Sequence, residues 1–125
     1  MDYYAHSLSQ EPEIHWQKLE DHLRNVAERA AKSAQVFSGE EWARLVATTH
    51  DAGKASTAFQ RRLHGSGEKV DHSSAGAKIL KEQYGFVGAM LAYVVAGHHG
   101  GLPNGVACGE RASLEERFNK SVEPY

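Results

Sequence analysis

Apolar residues recur along this chain at helical spacing, and nowhere does a strict polar–apolar alternation mark a strand. Trp16, Leu19, Leu23, Val26, Ala27 and Ala30 share one face, which predicts a long amphipathic helix over 14–34 with His22 turned inward beside Leu19, Leu23 and Val26. Residues 1–13 read as irregular, with Pro12 marking the helix entry. Ser38-Gly39-Glu40-Glu41 has the form of a capping box and opens a second helix with Trp42, Leu45 and Val46 toward the core. That helix runs into His50-Asp51 and is expected to loosen at Gly53. A short helix over 56–63 follows, then a Gly/Ser loop over 64–68. A fourth helix is predicted from about Asp71 to Tyr84, stopped by Gly85. The next, about Phe86 to His98, is apolar nearly all round and therefore expected to be central and buried. It ends in Gly97-His98-His99-Gly100-Gly101, and a Gly/Pro/Asn loop runs to about Gly109. Ser113-Leu114-Glu115-Glu116 caps one last helix. The expected fold is all-α, a single domain over 1–125 built as a bundle of about five to six helices.

Composition narrows the function. The 125 residues carry 24% charged and 41% hydrophobic side chains, ordinary for a globular domain. The apolar stretch around Phe86–Gly97 is too short and glycine-broken to span a bilayer, so no membrane role is expected. The N-terminus lacks the basic stretch of a secretory signal, and the single Cys108 excludes an intrachain disulfide. A cytoplasmic location is the expectation. A net charge of −2 counts against duplex binding by this chain alone.

Histidine is the unusual component. There are eight, at positions 6, 15, 22, 50, 64, 72, 98 and 99, almost without cysteine. Such a His/Asp set suits a hydrolytic metal site better than a structural zinc knuckle. His22, His50-Asp51, His72 and His98-His99 each fall on a predicted helix or at its edge, so a bundle can aim them into one cleft. Adjacent residues on a helix diverge by about 100°, so a His-Asp doublet grips a metal only where a helix end faces it. Gly53 and Gly100-Gly101 are expected to turn the chain away and leave the metal open to substrate. Asp51 has two oxygens and can bridge two ions, which about 3.5–4 Å apart would activate a water and stabilise the attacking and leaving oxygens of a phosphodiester. Lys54 follows as a candidate cation for the phosphate. His15 and His64 read as surface residues and His6 as structural.

The order His22, His50-Asp51-Ala-Gly-Lys54, Phe59-Gln60, His72-Ser73, Gly97-His98-His99-Gly100-Gly101 resembles the HD-type metal-dependent phosphohydrolases. The Tyr-Ala-His-Ser opening, Ala-x-x-Phe-Gln after the lysine, and the His-His-Gly-Gly end make it similar to one branch: the HD nuclease domain of the CRISPR-associated nuclease–helicase of type I interference systems. The resemblance covers Tyr4 to about Leu102. It implies an α-helical domain holding one or two divalent ions (manganese, nickel, magnesium, iron or cobalt). It further implies cleavage of single-stranded DNA, as endonuclease and exonuclease, once a superfamily 2 helicase domain and a guide-RNA surveillance complex have opened the target. By position, His22, His50 and Asp51 would hold one metal. Asp51, His72, His98 and His99 would hold the second, and Lys54 would lie beside the scissile phosphate as a catalytic residue with Asp51. The family pattern continues into a helix whose aspartate completes the first metal, yet no aspartate follows Asp71 here. Glu110, Glu115 and Glu116 are among the carboxylates after His99, and the chain is expected to be truncated before that helix. Two other readings stand beside the nuclease: a phosphohydrolase of nucleotides or cyclic dinucleotides, and a catalytically incomplete module whose metal only stabilises a fold.

Overall fold

The computed structural model describes residues 2–109 and 111–122. Its main elements are α1 (Leu19–Ala34), α2 (Glu40–Thr49), α3 (Thr57–Leu63), α4 (Ser73–Gly97) and α5 (Leu114–Asn119), with 3-10 turns at Glu13–His15, Gln35–Phe37 and Ala52–Ala55. The expected helical architecture is therefore present. It is joined by a two-stranded antiparallel sheet, β1 (Tyr4–His6) with β2 (Gln17–Lys18), that periodicity did not foretell.

That sheet corrects the first predicted helix. Trp16 and Lys18 hold extended backbone, so α1 starts at Leu19 and not near Ile14, which is exposed. The pairing partner lies more than ten residues upstream, and the Leu19 amide continues it by donating to the Tyr3 carbonyl at 2.8 Å. A local pattern cannot report such a long-range ladder. Pro12 does precede a helical turn, but only the 3-10 turn Glu13–His15.

The predicted capping box at Ser38 is also absent. Ser38 closes the preceding turn in the left-handed region (φ 56°), and Gly39 stands at the helix start without a side-chain cap. Trp42 is exposed, whereas Leu45 and Val46 pack against the core as expected. The second capping box forms: the Ser113 hydroxyl accepts from the Glu116 amide at 3.2 Å, and the Glu116 carboxylate accepts from the Ser113 amide at 2.7 Å. Ser113→Ala is expected to cost about 1 kcal/mol in a denaturant titration, because the Glu116 amide loses its side-chain acceptor at the start of the helix that carries the core residue Leu114.

The core gathers on α4. Ala77, Leu80, Ala92, Val95, Ala96 and Leu114 are buried together, with Leu45, Val46 and Phe118 packed around them. Its 25 residues, if straight, would span about 37 Å at 1.5 Å per residue. They are not straight. Gly85 adopts φ 56° and ψ −125° and breaks the helix into arms over 73–84 and 86–97, where the sequence places its stop. The second arm is not buried all round. Ala92, Val95 and Ala96 face inward, but Phe86 is 82% exposed, and Met90 and Val94 follow on the same outward stripe. Apolarity on every side says that a helix can be covered, not which neighbour covers it. No helix among the described residues is long and apolar enough to cross a membrane.

Candidate metal centre

Six ligand candidates converge because chain ends and turns, not helix middles, carry them. His50 is the C-cap that follows Thr49 at the end of α2, and Asp51 leaves the helix at φ −112°, so the two side chains escape the divergence of consecutive helical positions. His72 precedes α4 and His98 follows it. The bend at Gly85 brings both ends of that helix to one carboxylate. His22 arrives from the first turns of α1, half-buried.

Asp51, 2% exposed, stands at the centre. Its Oδ2 lies 3.1 Å from His22 Nε2 and 3.2 Å from His50 Nε2. Its Oδ1 lies 3.2 Å from His98 Nε2 and 3.4 Å from His72 Nε2. His99 joins the second side, with Nε2 2.7 Å from His72 Nε2. Two groups with ligand atoms inside 4.8 Å result: His22, His50 and Asp51, and Asp51, His72, His98 and His99. The carboxylate belongs to both, one oxygen to each.

The donor chemistry fits divalent cations. His50 Nδ1 lies 2.6 Å from the Ala47 carbonyl, and His98 Nδ1 lies 2.6 Å from the Val95 carbonyl. Each carbonyl can only accept, so each Nδ1 carries a proton; Nε2 then turns a lone pair to the carboxylate in the neutral ring and donates to it in the protonated one. Gln17 Oε1 holds His22 Nδ1 in the same way at 3.2 Å. Lone pairs facing carboxylate oxygens repel unless a proton or a cation stands between them, and backbone-anchored imidazoles are the usual outer support of metal ligands. His72 Nδ1 is buried without a partner.

Electrostatics agree. Burial would raise the Asp51 carboxyl, but hydrogen bonds from His50, His98 and Lys54 hold it far below the usual carboxylate range, so it is ionised. Burial pushes His72 down to about 4, aided by Lys54 and the neighbouring imidazoles against Asp51. Burial also lowers His22 and His99. Burial pushes His50 down as well, but Asp51 and the Ala47 carbonyl together carry it above its ordinary value. The lowered His22, His72 and His99 favour neutral imidazoles beside an ionised carboxylate, the state in which such groups bind metal.

Lys54 does not stand free in the cleft. It is 3% exposed, its ammonium 2.9 Å from Asp51 Oδ2 and donating to the Ala5 carbonyl at 3.2 Å, with the Phe59 ring beside it. A charge reads as solvated in sequence, yet this one is buried because Asp51 pairs it. Gly53 likewise differs from expectation. It does not open the site; it is buried, and a Cβ there would lie 2.4 Å from the His72 carbonyl oxygen, so its bare backbone lets His72 approach. Gly101 does turn the chain, at φ 83°, after His99. His15 and His64 lie on the surface, paired with Glu11 and Glu13. Glu116 caps α5 and Glu115 is exposed, while Glu110 lies outside the described residues.

Two glutamines gave no clear signal of their roles. Gln17 orients His22, and Gln60, visible only as part of Phe59-Gln60, donates to the Tyr4 and Lys54 carbonyls at 3.0 and 2.7 Å.

The sequence model of the family described as "Cas3, HD domain" matches residues 9–122 of the chain. The chain belongs to the Cas3 HD-domain family. No curated protein matches it. The Cas3 HD domain is a metal-dependent hydrolase of the nuclease class tied to type I CRISPR systems, and the His/Asp cluster is a group able to hold metal in that context.

Proposed function

We propose that this domain hydrolyses phosphodiesters of single-stranded DNA, as endonuclease and exonuclease, in type I CRISPR interference. The observation that carries the reading is the division of Asp51, one oxygen facing His22 and His50, the other facing His72 and His98. His22, His50 and Asp51 would hold one divalent ion, and Asp51, His72, His98 and His99 the other. When bound, such ions supply an activated water and stabilise charge on the attacking and leaving oxygens. The chain's own part is positional. The Ala47 and Val95 carbonyls and Gln17 fix which imidazole nitrogen faces inward. Lys54 fixes Asp51, acting through the carboxylate and not on the phosphate. The net charge of −2 fits a domain that receives its strand from a helicase partner, fused or separate, and from the guide-RNA complex that exposes the target.

Purified protein supplied with manganese, nickel or magnesium is offered circular single-stranded DNA, with duplex DNA, mononucleotides and cyclic dinucleotides alongside. Metal-dependent breakdown of the circular strand, abolished by chelator, is expected. No cleavage of DNA under any metal overturns the reading. Turnover of nucleotides alone assigns the site to a small-molecule phosphohydrolase instead.

A further inference from the structure

His6 takes no part in either ligand group, yet it stands at the edge of one. Its ring lies edge-on to His22, centroids 5.1 Å apart, and His22 Nε2 is 3.1 Å from Asp51. The strand that carries it is fixed from several sides. The Tyr4 amide donates to Gln60 Oε1 at 3.1 Å, and Gln60 Nε2 returns a bond to the Tyr4 carbonyl. Lys54 donates to the Ala5 carbonyl. Opposite His6 in the sheet is Gln17, the residue that orients His22. Strand alternation then buries Ala5 and leaves His6 exposed, with ring nitrogens that make no hydrogen bond among the described residues.

An exposed imidazole in this position is free to bond what arrives from solvent. The nearby lysine is not, because Lys54 is buried against Asp51 and Ala5. A phosphodiester drawn to cations at Asp51 brings non-bridging oxygens that seek N–H donors, and a bond to such a charged oxygen is stronger than one between neutral groups. We infer that His6 contacts the substrate, donating a ring N–H to a non-bridging phosphate oxygen beside the His22 side of the centre. The inference rests on the nuclease reading for the identity of the phosphodiester. It makes His6 a substrate-binding residue built into the N-terminal hairpin, so that the small sheet exists at the rim for a reason beyond packing.

The test compares parent, His6→Ala and His6→Gln, all manganese-loaded. Metal content, thermal stability, kinetics on single-stranded DNA and affinity for a phosphorothioate oligodeoxythymidine, whose linkages keep their charge but resist hydrolysis, are measured. His6→Ala is expected to weaken oligonucleotide binding and raise KM roughly tenfold, the loss typical of one hydrogen bond to a charged group. His6→Gln, which keeps an N–H donor, recovers part of both, with metal content and Tm unchanged. Unaltered binding and KM in His6→Ala overturn the inference, and so does a parallel fall in metal content, which would make His6 a ligand. A parent that binds the oligonucleotide but cleaves no DNA sinks the nuclease reading alone, since the His6 effect on binding is read separately. A parent that cleaves normally with His6→Ala indistinguishable from it sinks only the role of His6.

Discussion

Asp51→Asn is expected to empty both halves of the metal centre and to abolish metal-dependent DNA cleavage. The amide keeps the shape of the carboxylate but loses the charge and one acceptor oxygen. Each half then lacks its only carboxylate among the described residues, because the donors that remain are His22 and His50 on one side and His72, His98 and His99 on the other. Neutral imidazoles alone hold hard divalent ions poorly. Elemental analysis of protein purified with manganese checks this directly. Metal retained near the parent level would show that Asp51 is no bridge.

The same substitution is expected to destabilise the metal-free protein. Lys54 is buried with Asp51 as its only carboxylate partner among the described residues, and removing one member of a buried pair typically costs about 3–5 kcal/mol. For a domain of this size that is a drop of roughly 10 to 20 °C in Tm. Measuring in chelator separates it from the stabilisation that bound metal adds by mass action. Adding Lys54→Met removes the stranded charge. The double variant is therefore expected to regain much of the lost Tm and none of the metal or activity. If Asp51→Asn and the double variant melt alike, Lys54 is not held by this pairing.

What the sequence discloses and what it hides divide along the range of the forces involved. The helix stop at Gly85, the cap at Ser113 and the start of α3 at Ser56 are local, and the structure places them where the residues predict. The order of histidines and glycines was legible as a family pattern, and the family match agrees with it. The strand pairing of Gln17 with His6 was not legible, because the helical periodicity of Trp16 and Leu19 competes with a ladder whose other half lies elsewhere. Burial of Lys54 was hidden for a related reason: only the three-dimensional neighbourhood, an ionised Asp51 and the Ala5 carbonyl, makes a dry ammonium tolerable. Gly53 looks like a turn glycine in sequence and proves to be a contact surface for the His72 backbone. The outward stripe of Phe86, Met90 and Val94 shows the same limit, since periodicity ranks faces without naming neighbours.

Gly85→Ala tests the device that assembles the site, and its expected cost is large although a methyl group there would touch nothing within 4 Å. The cost lies in the backbone. At φ 56° and ψ −125° Gly85 occupies a region that residues with a Cβ avoid, at about 1–3 kcal/mol. Alanine also favours a continuous helix over glycine by about 0.8–1 kcal/mol, which here rewards the wrong conformer. The two effects act in the same direction and total about 2–4 kcal/mol against the bend. Without the bend, His72 and His98 sit at opposite ends of a rod about 37 Å long instead of both within hydrogen-bonding reach of one Asp51 oxygen. The variant is therefore expected to keep its helical circular dichroism while losing stability and affinity for metal in the four-ligand half. Gly100→Ala, beside the same histidines but with ordinary backbone and equally open space, is expected to be nearly neutral. Equal metal affinity in Gly85→Ala and the parent would mean that packing on α4, and not this glycine, holds the two ends together.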